Sequence, residues 1–275
     1  MPELPEVQTV VTTLRPKVVG HTITGVRHLR ADIVSPAGFE LISAIAGRTV
    51  REIDRRAKRI VFTLDDGNRF YVHLGMTGRL TVEPDAAAVP KHTHLICDLS
   101  DGPTGAGQLR FRDPRRFGGV FWMGSETDDD VALGPDPLHV KSGQLAQRLS
   151  RTTRAIKSAL LDQRVIAGLG NIYVDEALFL AGIHPLIRSD RLSGEQVRRL
   201  NRAIKQTLRR AIRHRGSTLR DYVDADGAGG GFQLLHRVYD RADEPCVTCR
   251  TKIKRIVLGG RSTCFCPRCQ KRNHR

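Results

Sequence analysis

Apolar residues near the start of the chain recur with a helical period. Val7, Val10, Val11 and Leu14 occupy positions i, i+3, i+4 and i+7, which predicts a helix over residues 5–15, stopped by Pro16. Beyond residue 20 the pattern changes to short β-rich runs separated by turn residues. Residues 59–64 and 69–74 flank Asp65-Asp66-Gly67-Asn68 and predict a hairpin. Further strands are predicted at 22–29, 49–54, 94–99, 108–112 and 119–122. So many short strands without intervening helices predict a sandwich or barrel-like unit rather than a parallel α/β sheet.

After an acidic stretch containing Gly and Pro, read as a linker at 131–143, the pattern turns helical. Its clearest helix opens at Leu192-Ser193-Gly194-Glu195-Gln196-Val197, where Ser193 and Gln196 form a capping box. Leu200, Ile204, Leu208 and Ala211 continue its apolar face; Arg198, Arg202, Lys205, Arg209 and Arg213 keep much of the rest basic. A solvated face and a nucleic-acid contact fit those cations equally. Upstream, Gly168-Leu169-Gly170-Asn171 lies between helical patterns, where backbone amides can closely approach a phosphate. The glycine-rich residues 224–231 predict a mobile loop, either a linker or a lid. The resulting scheme is multidomain α+β: a leading helix and β-sandwich (1–130), the linker (131–143), a helical unit (144–235) and a terminal hairpin module (236–275).

Charge narrows the partner. Lys and Arg outnumber Asp and Glu by 45 to 29, a net +16, and point to a polyanion. No apolar run is long enough to span a membrane, and Glu3 and Glu6 stand where a signal peptide would be basic. The expectation is a soluble, cytoplasmic protein with no membrane partner.

In that compartment six cysteines argue against disulfides. Cys246-x2-Cys249 followed by Cys266-x2-Cys269 has the spacing of a four-thiolate zinc site. Four protein ligands leave no open position for water, so the one Zn2+ is expected to be structural; no organic cofactor is expected. Cys264 has the wrong spacing for a knuckle and is left outside the shell, while Cys97 reads as a buried strand residue. Between the knuckles, residues 252–263 read as a basic hairpin with a glycine turn.

The first seven residues, Met1-Pro2-Glu3-Leu4-Pro5-Glu6-Val7, carry the candidate chemistry. Removal of Met1 would give Pro2 a free secondary amine, and α-amino groups titrate at about 7.7–8.0, so a nucleophilic fraction exists near neutrality. Such an amine forms an iminium with a carbonyl carbon. The helix behind it is a rigid mounting for Pro2 and Glu3.

These pieces together resemble the bacterial formamidopyrimidine-DNA glycosylase family. The resemblance is carried by residues 2–7, Arg56-Ala57-Lys58, His73-Leu74-Gly75-Met76-Thr77-Gly78, Asp113-Pro114-Arg115-Arg116-Phe117-Gly118, Gly168-Leu169-Gly170-Asn171-Ile172-Tyr173 and the cysteine module, in family order over nearly the whole chain. It implies a helix-two-turn-helix domain, a zinc finger, and excision of 8-oxoguanine and formamidopyrimidines followed by β,δ-elimination at the abasic site. Pro2 then corresponds to the nucleophile, with Glu3 and Lys58 as the other catalytic residues. His73, Asn171 and Arg261 match phosphate contacts; Met76, Arg115 and Phe117 match the residues that fill the void left by the flipped base. Glu6, Lys157, Glu176, Thr218, Arg220 and Tyr222 match support for the lesion site. The implied partner is damaged double-stranded DNA with cytosine opposite the lesion, bound by a monomer. An endonuclease VIII-type enzyme for oxidised pyrimidines and a noncatalytic zinc-dependent DNA-binding protein are the alternatives.

Overall fold

The computed structural model describes residues 2–100, 107–125, 132–219 and 221–272; Met1, Arg220 and the loop expansion expected from the sequence at 101–107, apart from Gly107, lie outside the described residues. The chain divides into two compact units. Unit 1 comprises Met1–Asp130 with His214–Gly231, and unit 2 comprises Val131–Arg213 with Phe232–Arg275.

In unit 1, the alternation of apolar and polar residues builds a sandwich. Strands β1 (Ile23–His28), β6 (Arg79–Glu83), β7 (Thr93–Leu99) and β8 (Gly107–Arg112) form one sheet in the order β1-β7-β8-β6. The other runs β2-β9-β5-β4-β3, from β2 (Val34–Ser35), β3 (Val50–Arg56), β4 (Arg59–Leu64), β5 (Arg69–His73) and β9 (Gly119–Gly124). All pairings are antiparallel except β2 with β9. Phe62, Phe70, Leu80, Leu95, Cys97, Leu109 and Phe111 join one core with Val7, Val11 and Leu14 of the leading helix. A short helix α2 (Leu41–Ile45) and the edge strand β6 had no clear sequence signal, since only Leu80 and Val82 mark the latter.

Helix α1 runs over Leu4–Val18 and contains Pro16, so the predicted stop is wrong. Val18 lies one turn beyond Leu14, and both are fully buried. Burying a valine contributes about 1.5–3 kcal/mol, comparable to the roughly 3 kcal/mol cost of an interior proline. Packing therefore carries the helix one turn past the local breaker.

Unit 2 contains α3 (Ser142–Leu149), α4 (Ile156–Leu161), α5 (Asn171–Ala181) and α6 (Gly194–Arg213), followed by the hairpin of β10 (Lys254–Leu258) and β11 (Arg261–Phe265). The predicted capping box is present: Ser193 N donates to Gln196 Oε1 at 2.8 Å, and Gln196 N donates to Ser193 Oγ at 3.2 Å. Residues 132–135 of the expected linker pack on this unit, where Gly134 N donates to the Gln163 carbonyl and Ala167 N to that of Pro135. No described helix is long and apolar enough to cross a membrane.

Candidate active site and nucleic-acid contacts

The start of α1 is buried despite its charge. Pro2 is buried, and Glu3 and Glu6 are 3% and 1% exposed. Glu6 stands three residues after Glu3, so its carboxylate folds back and Oε2 accepts the Glu3 amide at 2.8 Å. Oε1 accepts the Ser217 amide at 2.7 Å, and Tyr222 Oη donates to the Glu6 carbonyl at 3.2 Å. One side chain thus ties the catalytic candidates to the segment matched with lesion recognition. Burial, then the nearby Glu6 charge, pushes the Tyr222 phenol above its ordinary range, so it stays a donor. Gly216 makes this approach possible: it has φ +78°, and a Cβ there would lie 2.5 Å from Glu6 Oε1.

Hydrogen bonds join Thr218 to residues near either end of the glycine-rich stretch. Thr218 Oγ1 donates to the Tyr222 carbonyl and accepts the Gly230 amide at 2.7 Å. Asp224, fully buried, accepts the amides of Asp226 and Ala228 and pairs with Arg215.

Lys58 follows Ala57, whose φ of +55° turns the chain between β3 and β4. Lys58 lies close enough to His73 to act on it. Burial first, then the charges of Lys58 and Arg59, hold the His73 imidazole below its ordinary value. His73 Nδ1 accepts the Gly75 amide at 3.0 Å, which assigns the proton of the neutral ring to Nε2. That leaves Nε2–H as a donor for an oxyanion.

Two loops beyond His73 expose large apolar side chains. Met76 is 39% and Phe117 57% exposed, and the Arg115 guanidinium stacks 4.6 Å above the Phe117 ring. The sequence reading assigned no role to the residue that organises them. Buried Asp113 accepts Thr77 Oγ1 at 2.5 Å and the Arg115 amide through Oδ1, and the Gly118 amide at 2.8 Å through Oδ2. The loops touch closely: a Cβ on Gly75 would fall 2.4 Å from Gly118 N.

Unit 2 gathers a second set. Asn171 begins α5, and its Nδ2 donates to the Ser262 carbonyl at 3.0 Å, beside Arg261. Gly259 and Gly260 both have positive φ, giving the tight two-residue turn that brings Arg261 to the hairpin tip. Lys157 is fully buried; its ammonium bonds Asp175 Oδ1 at 2.6 Å and the Ser262 carbonyl at 2.7 Å. Asp175 Oδ2 in turn accepts the Cys264 amide at 2.9 Å. Burial outweighs the lysine and pushes the Asp175 carboxyl up to about 6. Lys157 and the unpredicted Asp175 therefore set the hairpin against α5 and bring Arg261 beside Asn171. Glu176 accepts the amides of Arg237, Val238 and Tyr239, holding the chain leading into the cysteine module. Two adjacent acids within the otherwise apolar run of α5 were the available signal for this role.

Cys246, Cys249, Cys266 and Cys269 form one cluster with all four sulfurs within 4.8 Å of one another. The Cys246–Cys269 and Cys249–Cys266 separations are 3.9 and 3.4 Å. A tetrahedral shell with metal–sulfur bonds of about 2.3 Å needs sulfur separations of about 3.8 Å, so the donor set fits a metal such as zinc. Cys264 is outside the cluster. Cys97, in β7, is buried, which pushes its thiol up to about 12.

Three family models match along the chain: the formamidopyrimidine-DNA glycosylase N-terminal domain over residues 1–120, the H2TH domain of that glycosylase over 133–223, and a zinc finger found in FPG and IleRS over 243–272. Formamidopyrimidine-DNA glycosylases of Gluconobacter oxydans and Chloroflexus aggregans are 46% and 44% identical, covering 98% of this chain and 100% and 98% of theirs. A solved Lactococcus lactis FPG mutant bound to a Fapy-dG-containing DNA has a TM-score of 0.89 and 34% identity, covering 98% of this chain and 100% of that one. The MutM (FPG) protein of Thermus thermophilus gives 0.86 and 39%, covering 98% of both chains. Family models matching most of its length and relatives more than 40% identical over nearly all of it show that the chain belongs to the formamidopyrimidine-DNA glycosylase family.

Proposed function

We propose that this enzyme excises oxidised purines from double-stranded DNA through Pro2 and then cleaves the strand at the abasic site. The observation that carries the mechanism is the burial of Pro2 and Glu3 at the start of α1, with Glu6 bonded to both the Glu3 and Ser217 amides. Once Met1 is removed, the Pro2 amine attacks C1′ of the extruded nucleotide, and the C1′–N bond breaks as the base leaves with a proton. Loss of the amine proton and opening of the sugar give an iminium. Glu3 transfers protons at the sugar, and Lys58 assists base departure. The iminium acidifies the C2′ hydrogens, so the 3′ phosphate and then the 5′ phosphate are eliminated; water finally releases Pro2. An activated water would remove the base without making elimination accessible.

His73, Asn171 and Arg261 hold phosphates and provide register rather than sequence selectivity. Met76 and Phe117 occupy the opened stack while Arg115 donates to the orphaned cytosine, offsetting the few kcal/mol that flipping a base costs. Lys157 contributes by positioning the hairpin and Glu176 by holding the chain that leads into the cysteine module; Thr218, Arg220 and Tyr222 support the lesion site. The finger metal is a structural Zn2+, and the enzyme acts as a cytoplasmic monomer.

Borohydride should trap a covalent adduct with 8-oxoguanine duplex, and Pro2→Gly should greatly weaken trapping and strand cleavage while lesion binding persists. Undiminished trapping in that variant would overturn the Pro2 assignment. Matched duplexes carrying 8-oxoguanine, formamidopyrimidine guanine or an oxidised thymine test the substrate class; preference for the thymine lesion would replace the purine reading with the endonuclease VIII type.

A further inference from the structure

The outer face of the β1-β7-β8-β6 sheet carries a concentration of positive charge that the glycosylase reaction does not use. Arg79 and Arg112 are direct cross-strand partners on β6 and β8, and Arg110 faces Thr81 one step along. Like charges directly opposite each other on a sheet are destabilising. The unusual member is Arg110, which is only 3% exposed. Its guanidinium bonds Gln108 Oε1 and the carbonyls of Ala87 and Ala88, all neutral acceptors. No carboxylate of the described residues pairs with Arg79, Arg110 or Arg112; Arg112 Nε donates to the Lys91 carbonyl. A buried charge without a counter-charge is costly, and neutral dipoles compensate it only in part.

The three arginines line one cavity of about 180 Å3 together with Thr81, Glu83, Val223 and Gly227. Counting Glu83, the lining keeps two positive charges in excess. We propose that this cavity is a binding site for a small oxyanion of the phosphate class, and that its occupancy steadies the turn that follows the lesion-recognition segment. The guanidiniums of Arg79 and Arg112 supply planar donors suited to phosphate oxygens, Arg110, already bonded through all three nitrogens, adds its charge, and Thr81 can add a hydroxyl. The cavity is below the several hundred Å3 usual for larger ligands, which favours a free ion or the phosphoryl end of a nucleotide. Val223 and Gly227 form its other wall and flank Asp224, whose carboxylate holds the turn through Asp226 and Ala228. An anion bridging the sheet to that wall adds a contact that holds the turn against the sheet.

The full-length, metal-loaded protein is titrated with inorganic phosphate and, separately, with 2′-deoxyguanosine 5′-monophosphate, against sodium chloride at matched ionic strength. Calorimetry reads binding, and hydrogen exchange reads amides 221–228. Saturable binding with slowed exchange in that segment is expected; a response to the free ion identifies the ion as the ligand, and a response to the nucleotide alone identifies a phosphomonoester. Combined Arg79→Gln and Arg112→Gln should weaken binding by at least about tenfold and leave single-turnover excision in phosphate-free buffer unchanged. If that variant misfolds by circular dichroism, Thr81→Asp, which places a carboxylate in the cavity, decides instead: lost binding supports the site. Effects matched by chloride, or phosphate binding retained in a folded variant, would overturn it.

Discussion

Asp113 and Asp175 are both buried carboxylates that organise segments proposed to contact DNA, yet their charges are compensated differently. In unit 1, Asp113 ties the Met76 and Phe117 loops together through a hydroxyl and backbone amides, all neutral donors. Asp175 in unit 2 opposes a fully buried ammonium and one amide. Loss of the first carboxylate loosens two loops without stranding a cation; loss of the second leaves Lys157 charged in the interior. The surroundings amplify the contrast. Asp113 sits on a sandwich with an extended apolar core, whereas the finger side is joined by a small cluster of Phe179, Val238, Ile253, Cys246, Cys264 and Cys266.

The largest effect should come from removing the finger metal. Structural zinc contributes about 10–16 kcal/mol in isolated fingers, so chelation should unfold the hairpin and abolish tight DNA binding while the sandwich stays folded. Unchanged hairpin amide protection in verified metal-free protein would remove the contrast between the units.

Asp175→Ala should follow, at about 3–5 kcal/mol of stability, the usual consequence of stranding one partner of a buried pair. Adding Lys157→Met should recover much of that loss by thermal unfolding, because an apolar pair strands no charge. A double variant as unstable as the single one would show that the ion pair is not the source.

Acid should act next, through His236. Its ring packs edge-on against Phe232 and Tyr239, and burial pushes its pKa down to about 4. The unfolded chain takes up a proton below about pH 6.5, while the folded chain does so only near 4. This contribution is therefore present above pH 6.5 and is lost as pH falls towards 4, at most about 3 kcal/mol. Denaturant titrations at pH 7 and 4.5 should show the loss, and His236→Phe should flatten it.

Asp113→Asn should have the smallest effect on stability, about 1–3 kcal/mol. Its consequence should fall on chemistry, slowing single-turnover excision on the order of 10- to 100-fold through misplaced loops, with finger metal content unchanged. Equal losses of metal and of rate would mean that the two carboxylates do not act independently.

The leading helix, most of the strands, the cysteine cluster and the glycine turn before Arg261 were legible because each is local: a period, a spacing or a turn residue specifies it. Pro16 misled because the core gains enough from Val18 to override a local breaker. Lys157 was matched only through the family resemblance, and its neighbours could not be read at all, since Asp175, Ser262 and Cys264 are distant from it in sequence.

The same division runs through the chemistry. By itself the sequence singled out the candidate nucleophile, a proline directly after Met1, together with four cysteines at metal-binding spacing and the excess of positive charge. These follow from residue identity and spacing. Only the tertiary structure decided that Glu6 serves as the bond between Glu3 and Ser217, that Lys157 faces an acid rather than solvent, and that Arg110 is buried without one. Such roles depend on which distant dipoles and charges replace water around a side chain, and that replacement exists only once the chain has folded.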